Sequence, residues 1–282
     1  PAGDAVDRVA LEQATSEAVA RHKAARFEGE VDDLCCGIGG DTLALAEHCH
    51  VRSIDRRPSL TLMTAWNAQA YGVNDRVQTQ TGEVADLAGT TRLVHLDPDR
   101  RIGSRRSIRI EEFSPSLEFM WRLIDTCPGG AIKLSPASNF GGKFDDCELE
   151  LVSLEGECKE AIVWFGALAG EQPWRATLLP SGATLFGEPL SARADLLPPG
   201  SWLYDPDPAV VRSGLLDVAA CELGLARLDE AEEYLTGETL VSSPFVTPFE
   251  ILAELPNNEK QIRGYFRAHR FGQVEIKCRH LP

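Results

Sequence analysis

The chain of 282 residues has no apolar run near the ~20 residues a membrane-spanning helix needs, which argues against a transmembrane protein. It starts on proline rather than methionine, and its first residues lack the basic start, apolar centre and small-residue cleavage site of a secretory leader. Nothing repeats at a fixed period, and no segment is of low complexity. The eight cysteines (35, 36, 49, 127, 147, 158, 221 and 278) include no CxxC pair, so neither a zinc site nor a disulfide framework is expected. Such scattered thiols suit a reducing compartment, and a cytoplasmic location is the expectation.

A basic total is missing too. The net charge is −15, which taken alone argues against a nucleic-acid binder. Exposed charges are screened beyond about 8 Å at physiological salt, so their distribution counts for more than their sum. Two stretches are basic: "RRIGSRRSIR" (100–109) has five arginines and no acid, and 260–279 has six Lys/Arg and one acid.

Hydrophobic residues make up 43% and charged residues 25%, as in an ordinary folded protein. Residues 7–27 read as an amphipathic helix carrying Val9, Leu11, Ala14, Ala18 and Ala24. From residue 31 strands and helices alternate: "VDDLCC", "DTLALAEHC", "VRSID", "LTLMTAWNAQAYG", "RVQTQTG", "RLVHLDPD", "SPSLEFMWRLIDTC" (capped by Ser114 or Ser116) and "GAIKLS". That rhythm implies right-handed crossovers and a parallel sheet. After residue 146 two hairpins are expected, around Glu155-Gly156 and Pro180-Ser181-Gly182, as an antiparallel tail. Proline-rich text places a boundary near 196–204. Beyond it "AVVRSGLLDVAACELGL" and "KQIRGYFRAHR" read as helices and "GQVEIKCR" as a strand; because this strand stops almost at the chain end, the second domain is expected to be cut short.

Four motifs carry chemistry. In "VDDLCCGIGGDTLALA" (31–46), Gly37, Gly39 and Gly40 lie between a strand and a helix, where a ligand can approach the main chain closely. A nucleotide cradle, a metal site and a plain tight turn are the three readings of such a stretch. Thr42 stands where the dinucleotide fingerprint wants its third glycine, which weakens a nicotinamide-cofactor reading. Asp33 is expected to bring a carboxylate near the ligand, suiting a cationic or amine-bearing one. Asp55 ends the next strand, where an acid can accept from ribose hydroxyls. Glu83 and Val84 follow the third strand and can frame an adenine. Asp97-Pro98 ends the fourth, where open α/β sheets bind ligands. Because acids recur at successive strand ends, the plain-turn reading fails; the metal reading fails for want of partners at ligand spacing.

In this order and spacing the motifs resemble a class I S-adenosylmethionine (SAM) dependent methyltransferase. "CCGIGGDT…SIDRRP…AWNAQAYGVNDRV" is similar to the trimethylguanosine synthase branch, with Cys35 where glycine is usual. The text from "WLYDPDPAVVRSGLLD" through "SPF" to "GQVEIKCR" resembles a THUMP-like domain. The resemblance implies an α/β fold: a Rossmann-like parallel sheet with an antiparallel tail, an N-terminal helical segment (1–30), a methyltransferase domain (31–198) and a small α+β THUMP-like domain (199–282). It further implies SAM as cofactor, with main chain around Asp33, Cys35, Gly37 and Gly39 at its methionine end. Asp55 takes the ribose, Glu83 and Val84 the adenine, and Asp97 and Pro98 face the acceptor. Amino-nitrogen methyltransferases of nucleic acid usually place an aromatic after their Asp/Asn-Pro-Pro, whereas here Asp99 and Arg100 follow Pro98.

Five arginines directly after the acceptor motif suit phosphate contact, so Asp99, Arg100, Arg101, Arg105 and Arg106 are candidate substrate residues, along with Pro136 and Asn139 after the fifth strand. RNA of the tRNA or rRNA class is the expected partner, with no metal. A small-molecule or protein methyltransferase and a non-catalytic SAM-binding module remain as alternatives.

Overall fold

The computed structural model describes residues 14–87, 90–102 and 105–274. Helix α1 (Glu17–Ala24) precedes β1 (Glu30–Leu34), α2 (Gly40–Ala46), β2 (His50–Asp55), α3 (Pro58–Ala70), β3 (Val77–Thr81) and β4 (Leu93–Leu96). A two-stranded ribbon, β5 (Arg101–Ile102) and β6 (Arg105–Arg106), leads to α4 (Leu117–Thr126) and β7 (Gly129–Leu134). Then come β8 (Glu148–Leu154), β9 (Glu157–Gly166), β10 (Trp174–Leu179), β11 (Ala183–Gly187) and β12 (Trp202–Pro206). The described chain closes with α5 (Pro208–Arg212), α6 (Leu216–Leu223), β13 (Ala226–Arg227), β14 (Leu235–Gly237), β15 (Val246–Glu250) and α7 (Glu259–Ala268).

The main sheet has nine strands in the order β11-β10-β8-β9-β7-β4-β1-β2-β3. Strands β7, β4, β1, β2 and β3 run parallel, as the strand–helix rhythm requires. The expected tail is there: β9 is antiparallel to both β7 and β8, and β11 to β10. One pairing departs from it, because β10 lies parallel to β8. The β8–β9 hairpin presents β9 to β7, and the returning chain adds to the outer edge of β8.

Alternation along the strands sorts the two faces. Val31, Val51, Ala131, Ile162 and Trp164 pack under α1 and α2 with Val19, Ala20, Phe27, Ala44 and Leu45. Leu34, Ile54, Leu96, Ile132, Leu134 and Phe165 pack on the other face against Leu117, Phe119, Met120 and Leu123 of α4. Ser116 caps α4, its hydroxyl accepting from the Phe119 N–H at 3.4 Å. The first helix is described from Glu17, the residues before 14 lying outside the described chain.

The single helix expected over 209–225 is two. Helix α5 ends at Ser213, Gly214 turns at φ +73°, and Leu215 drops fully buried into the main core beside Ala209, Val210 and Ala219. Strands β13-β14-β12-β15 form a second, antiparallel sheet around Tyr204, Leu216, Ala220 and Leu235. Helix α7 buries none of its residues. Of the strand expected at "GQVEIKCR" (272–279), residues 272–274 are not in a strand and the rest lie outside the described residues. No helix among the described residues is long and apolar enough to cross a membrane.

Candidate functional site

A cavity of about 770 Å³ opens at the carboxyl ends of the parallel strands. Its floor is the turn after β1. Cys35 adopts φ +60°, a conformation that favours glycine, at the position where the family resemblance has one. Gly39 turns at φ +92°, and a Cβ there would come within 2.9 Å of Thr64 Cγ2. Helix α3 fixes the turn from behind: Thr64 Oγ1 donates to the Gly37 carbonyl at 3.0 Å and Asn67 Nδ2 to the Ile38 carbonyl at 2.8 Å. Gly37 lines the cavity, and a Cβ there would point into open space, so the missing side chain is what leaves the cradle open.

Most of the residues singled out in the sequence converge here. Asp55 lines the cavity at the end of β2, accepting from the Gly37 N–H at 3.1 Å and the Arg57 N–H at 2.9 Å. Glu83 and buried Val84 line it beyond β3, together with Phe113 and Phe119. Asp97, Pro98, Asp99 and Arg100 line it beyond β4, and Asp99 exchanges backbone hydrogen bonds with Ser114 at 2.8 Å. Arg101, Arg105 and Arg106 belong to the ribbon, Arg101 opposite Arg106, with side chains outside what is described.

Four expected placements need correction. Asp33 does not reach the cavity: its buried carboxylate takes the Thr42 hydroxyl and lies 2.8 Å from His95 Nδ1, because its strand position turns it inward under α2. Pro136 does not line the cavity either; its carbonyl accepts from Arg212 Nε at 2.9 Å, tying β7's loop to α5. Asn139 is a structural clamp, its Oδ1 accepting from the Ile110 N–H at 2.9 Å and its Nδ2 donating to Glu111 at 3.1 Å. Gly39 shapes the turn from beneath, off the cavity wall.

A polar layer under the cavity escaped sequence reasoning. Lys23 of α1, 1% exposed, lies 2.8 Å from both Asp41 and Glu160. Lys133 of β7 donates to Asp97 Oδ2 at 2.7 Å and to Thr15 Oγ1 at 2.6 Å, and Thr15 donates to Asp41 at 2.6 Å. Burial alone would depress both ammonium groups. The carboxylates outweigh it, Asp41 and Glu160 holding Lys23 above the ordinary lysine range, and Asp97, Glu160 and Asp41 holding Lys133 there. Asp41 is likewise held well below the carboxylate range, Lys23, His95 and Lys133 overcoming its burial. Burial pushes the Cys35 thiol far up, helped by Asp55 and Asp97, so it stays neutral. One signal was available: Lys133 interrupts the otherwise apolar strand text of β7.

The comparisons agree with this geometry. Residues 29–105 match the family of RNA cap guanine-N2 methyltransferases, and residues 246–282 match the THUMP domain-like family. Two curated proteins of Mycobacterium tuberculosis, from strains CDC 1551 and H37Rv, are 33% identical over 279 residues, covering 96% of this chain and 75% of theirs. Both are described as uncharacterized S-adenosylmethionine-dependent methyltransferases. The chain belongs to the S-adenosylmethionine-dependent methyltransferases. A solved structure from Porphyromonas gingivalis W83, assigned as a methyltransferase, superposes with a TM-score of 0.76 over 93% of this chain and 70% of that one, at 21% identity, which supports the fold. The cofactor of this methyltransferase is therefore SAM. The site fits that group: the open cradle at Gly37, a carboxylate at the second strand end and an apolar wall of Val84, Phe113 and Phe119 lie along one cavity.

Proposed function

We propose that the protein methylates RNA of the tRNA or rRNA class, with Asp97 and Pro98 presenting the acceptor. What carries this reading is the order of residues after β4: Asp97, Asp99 and Arg100 line the cavity, and the arginine ribbon follows directly in the chain. The match of 29–105 to an RNA-modifying family supports it as well.

In this reading main chain at Cys35 and Gly37 holds the methionine end of the cofactor, Asp55 accepts from the ribose, and Glu83 and Val84 frame the adenine. When bound, SAM supplies a methyl group on a sulfonium, which is transferred by in-line displacement. The protein's part is then to hold an acceptor lone pair in near-attack geometry. Asp97 and the Pro98 carbonyl accept the hydrogens of the acceptor and orient it. Arg100, with Arg101, Arg105 and Arg106 of the ribbon, neutralises phosphates. The division into a methyltransferase unit (31–198) and a THUMP-like unit (199–282) belongs to the same reading, supported by the separate sheet and core around Tyr204. A cytoplasmic location does too, supported by the seven free cysteines of the described residues.

Tritium transfer from methyl-labelled SAM into fractionated RNA, protein and metabolite pools tests the proposal. The expected result is label in structured RNA. Neutralising Arg105 and Arg106 together should flatten the salt dependence of RNA binding by about 0.9 in log–log slope for each phosphate left without its arginine. Label confined to protein or metabolites would overturn it and favour the reading that the acidic total supports, a small-molecule or protein acceptor.

A further inference from the structure

We infer that Lys133 is the positioning residue for Asp97, holding it as a carboxylate with one oxygen tied down and the remainder turned to the cavity. This rests on the reading that Asp97 faces the reacting methyl group.

Register brings the two together. Leu96 pairs with Ile132 across β4 and β7, so the next residues, Asp97 and Lys133, emerge side by side on the face that carries His95 and Asp33. The Lys133 ammonium reaches Asp97 Oδ2 at 2.7 Å and Thr15 Oγ1 at 2.6 Å, with Glu160 at 3.6 Å and Asp41 at 3.8 Å. Two of its three donors are engaged and its charge is balanced by three carboxylates, so Lys133 is no base. The Asp97 side chain keeps 35% exposure inside the cavity while that of Lys133 keeps 13%.

The chemistry gives the pairing a purpose. Burial, with the Asp41 carboxylate, pushes Asp97 towards its neutral form and leaves it above the usual carboxylate range; Lys133 is the first charge opposing that push, with Lys23 behind it, so losing Lys133 would carry Asp97 further towards neutrality. Around Asp97 stand Lys133 from β7, Asp41 from α2, Lys23 from α1, Glu160 from β9 and the neutral Cys35 after β1; Arg56, after β2, pairs instead with Asp99 at 3.5 Å. A protonated Asp97 would donate its hydrogen to the acceptor's lone pair, the electrons needed for attack. An ionised one can only accept.

The test uses two probes on the full chain, so no acceptor need be known. S-adenosylhomocysteine is neutral where SAM carries its sulfonium, and sinefungin carries an ammonium there. The ratio of their dissociation constants, measured by calorimetry from pH 5 to 9, reports the charge facing that position. D97N should lower the preference for sinefungin at least fivefold near pH 8. K133M should bring it within twofold of D97N at pH 6 and let it recover with alkali, its midpoint at least one pH unit above that of the wild type. K133R should stay within threefold of the wild type, and K133M/D97N should match D97N alone. If K133M does not fold, K133Q, a donor without charge, carries the same expectation. A K133M (or K133Q) preference that tracks the wild type at every pH, or exceeds it, overturns the inference while leaving Asp97 in place. An unchanged preference in D97N removes the Asp97 reading and this inference with it.

Discussion

Lys23→Met removes one cation from a site closed to bulk solvent. The ammonium is 1% exposed and lies 2.8 Å from both Asp41 and Glu160, themselves buried. Methionine fills the same volume, so the loss is electrostatic. Taking one partner from a buried ion pair costs about 3–5 kcal/mol, because the other charge is left uncompensated. Lys133, at 3.8 Å from Asp41 and 3.6 Å from Glu160, softens this and places the expectation near the lower bound. In urea, at a slope of about 3 kcal/mol per molar, the midpoint should fall by about 1 M. The pH dependence adds a second signature. In the wild type the folded Asp41 is held below its unfolded value, so its contribution is present above about pH 4 and lost as pH falls towards its folded value. Lys23 is held above its unfolded value, so its share is complete below about pH 10 and lost in stronger alkali. K23M/E160Q should recover part of the loss at pH 8. A midpoint within 0.3 M of the wild type would refute the argument that this layer is held by charge.

Gly39→Ala should cost about 1–3 kcal/mol for its backbone conformation alone, and the clash with Thr64 adds to it, so a fall in the thermal midpoint is expected by calorimetry. Asp55→Ala should weaken binding of S-adenosylhomocysteine by about 10-fold or more, since hydrogen bonds to a charged group are worth about 1.5–3 kcal/mol, and should also lower the melting temperature, because the Gly37 and Arg57 N–H groups lose their acceptor. Phe27→Ala opens a cavity between His95, edge-on at 6.5 Å, and Trp164 at 6.0 Å, and should cost about 3–5 kcal/mol in denaturant unfolding.

Local pattern carried the parallel half of the sheet, because each of its strands is followed by a helix or a loop that sequence punctuation marks. It carried Cys35, Gly37, Asp55, Glu83 and Asp97 for the same reason: strand ends are local features, and a parallel sheet collects them on one edge. Asp33 was misplaced because alternation along β1 decides whether a carboxylate points to the cavity or under α2, and nothing local says which. Asn139 was mistaken for a site residue because its partners, Ile110 and Glu111, are distant in sequence. Lys23, Lys133 and Glu160 went unread for the same cause: each is an ordinary charged residue until the fold sets them within 4 Å of each other or of a shared carboxylate.

The matched family segment begins at residue 29, yet the wall of the cavity begins earlier, at Ala14, Thr15 and Ser16. Thr15 sits between Lys133 and Asp41, and Lys23 between Asp41 and Glu160. The boundary of the working part is therefore not the boundary of the recognisable part. A fragment cut to the matched segment would keep its glycine turn and its first four strand ends but lose Thr15 and Lys23 beside Asp41 and Lys133 beside Asp97. Excising the catalytic half intact means starting upstream of Thr15.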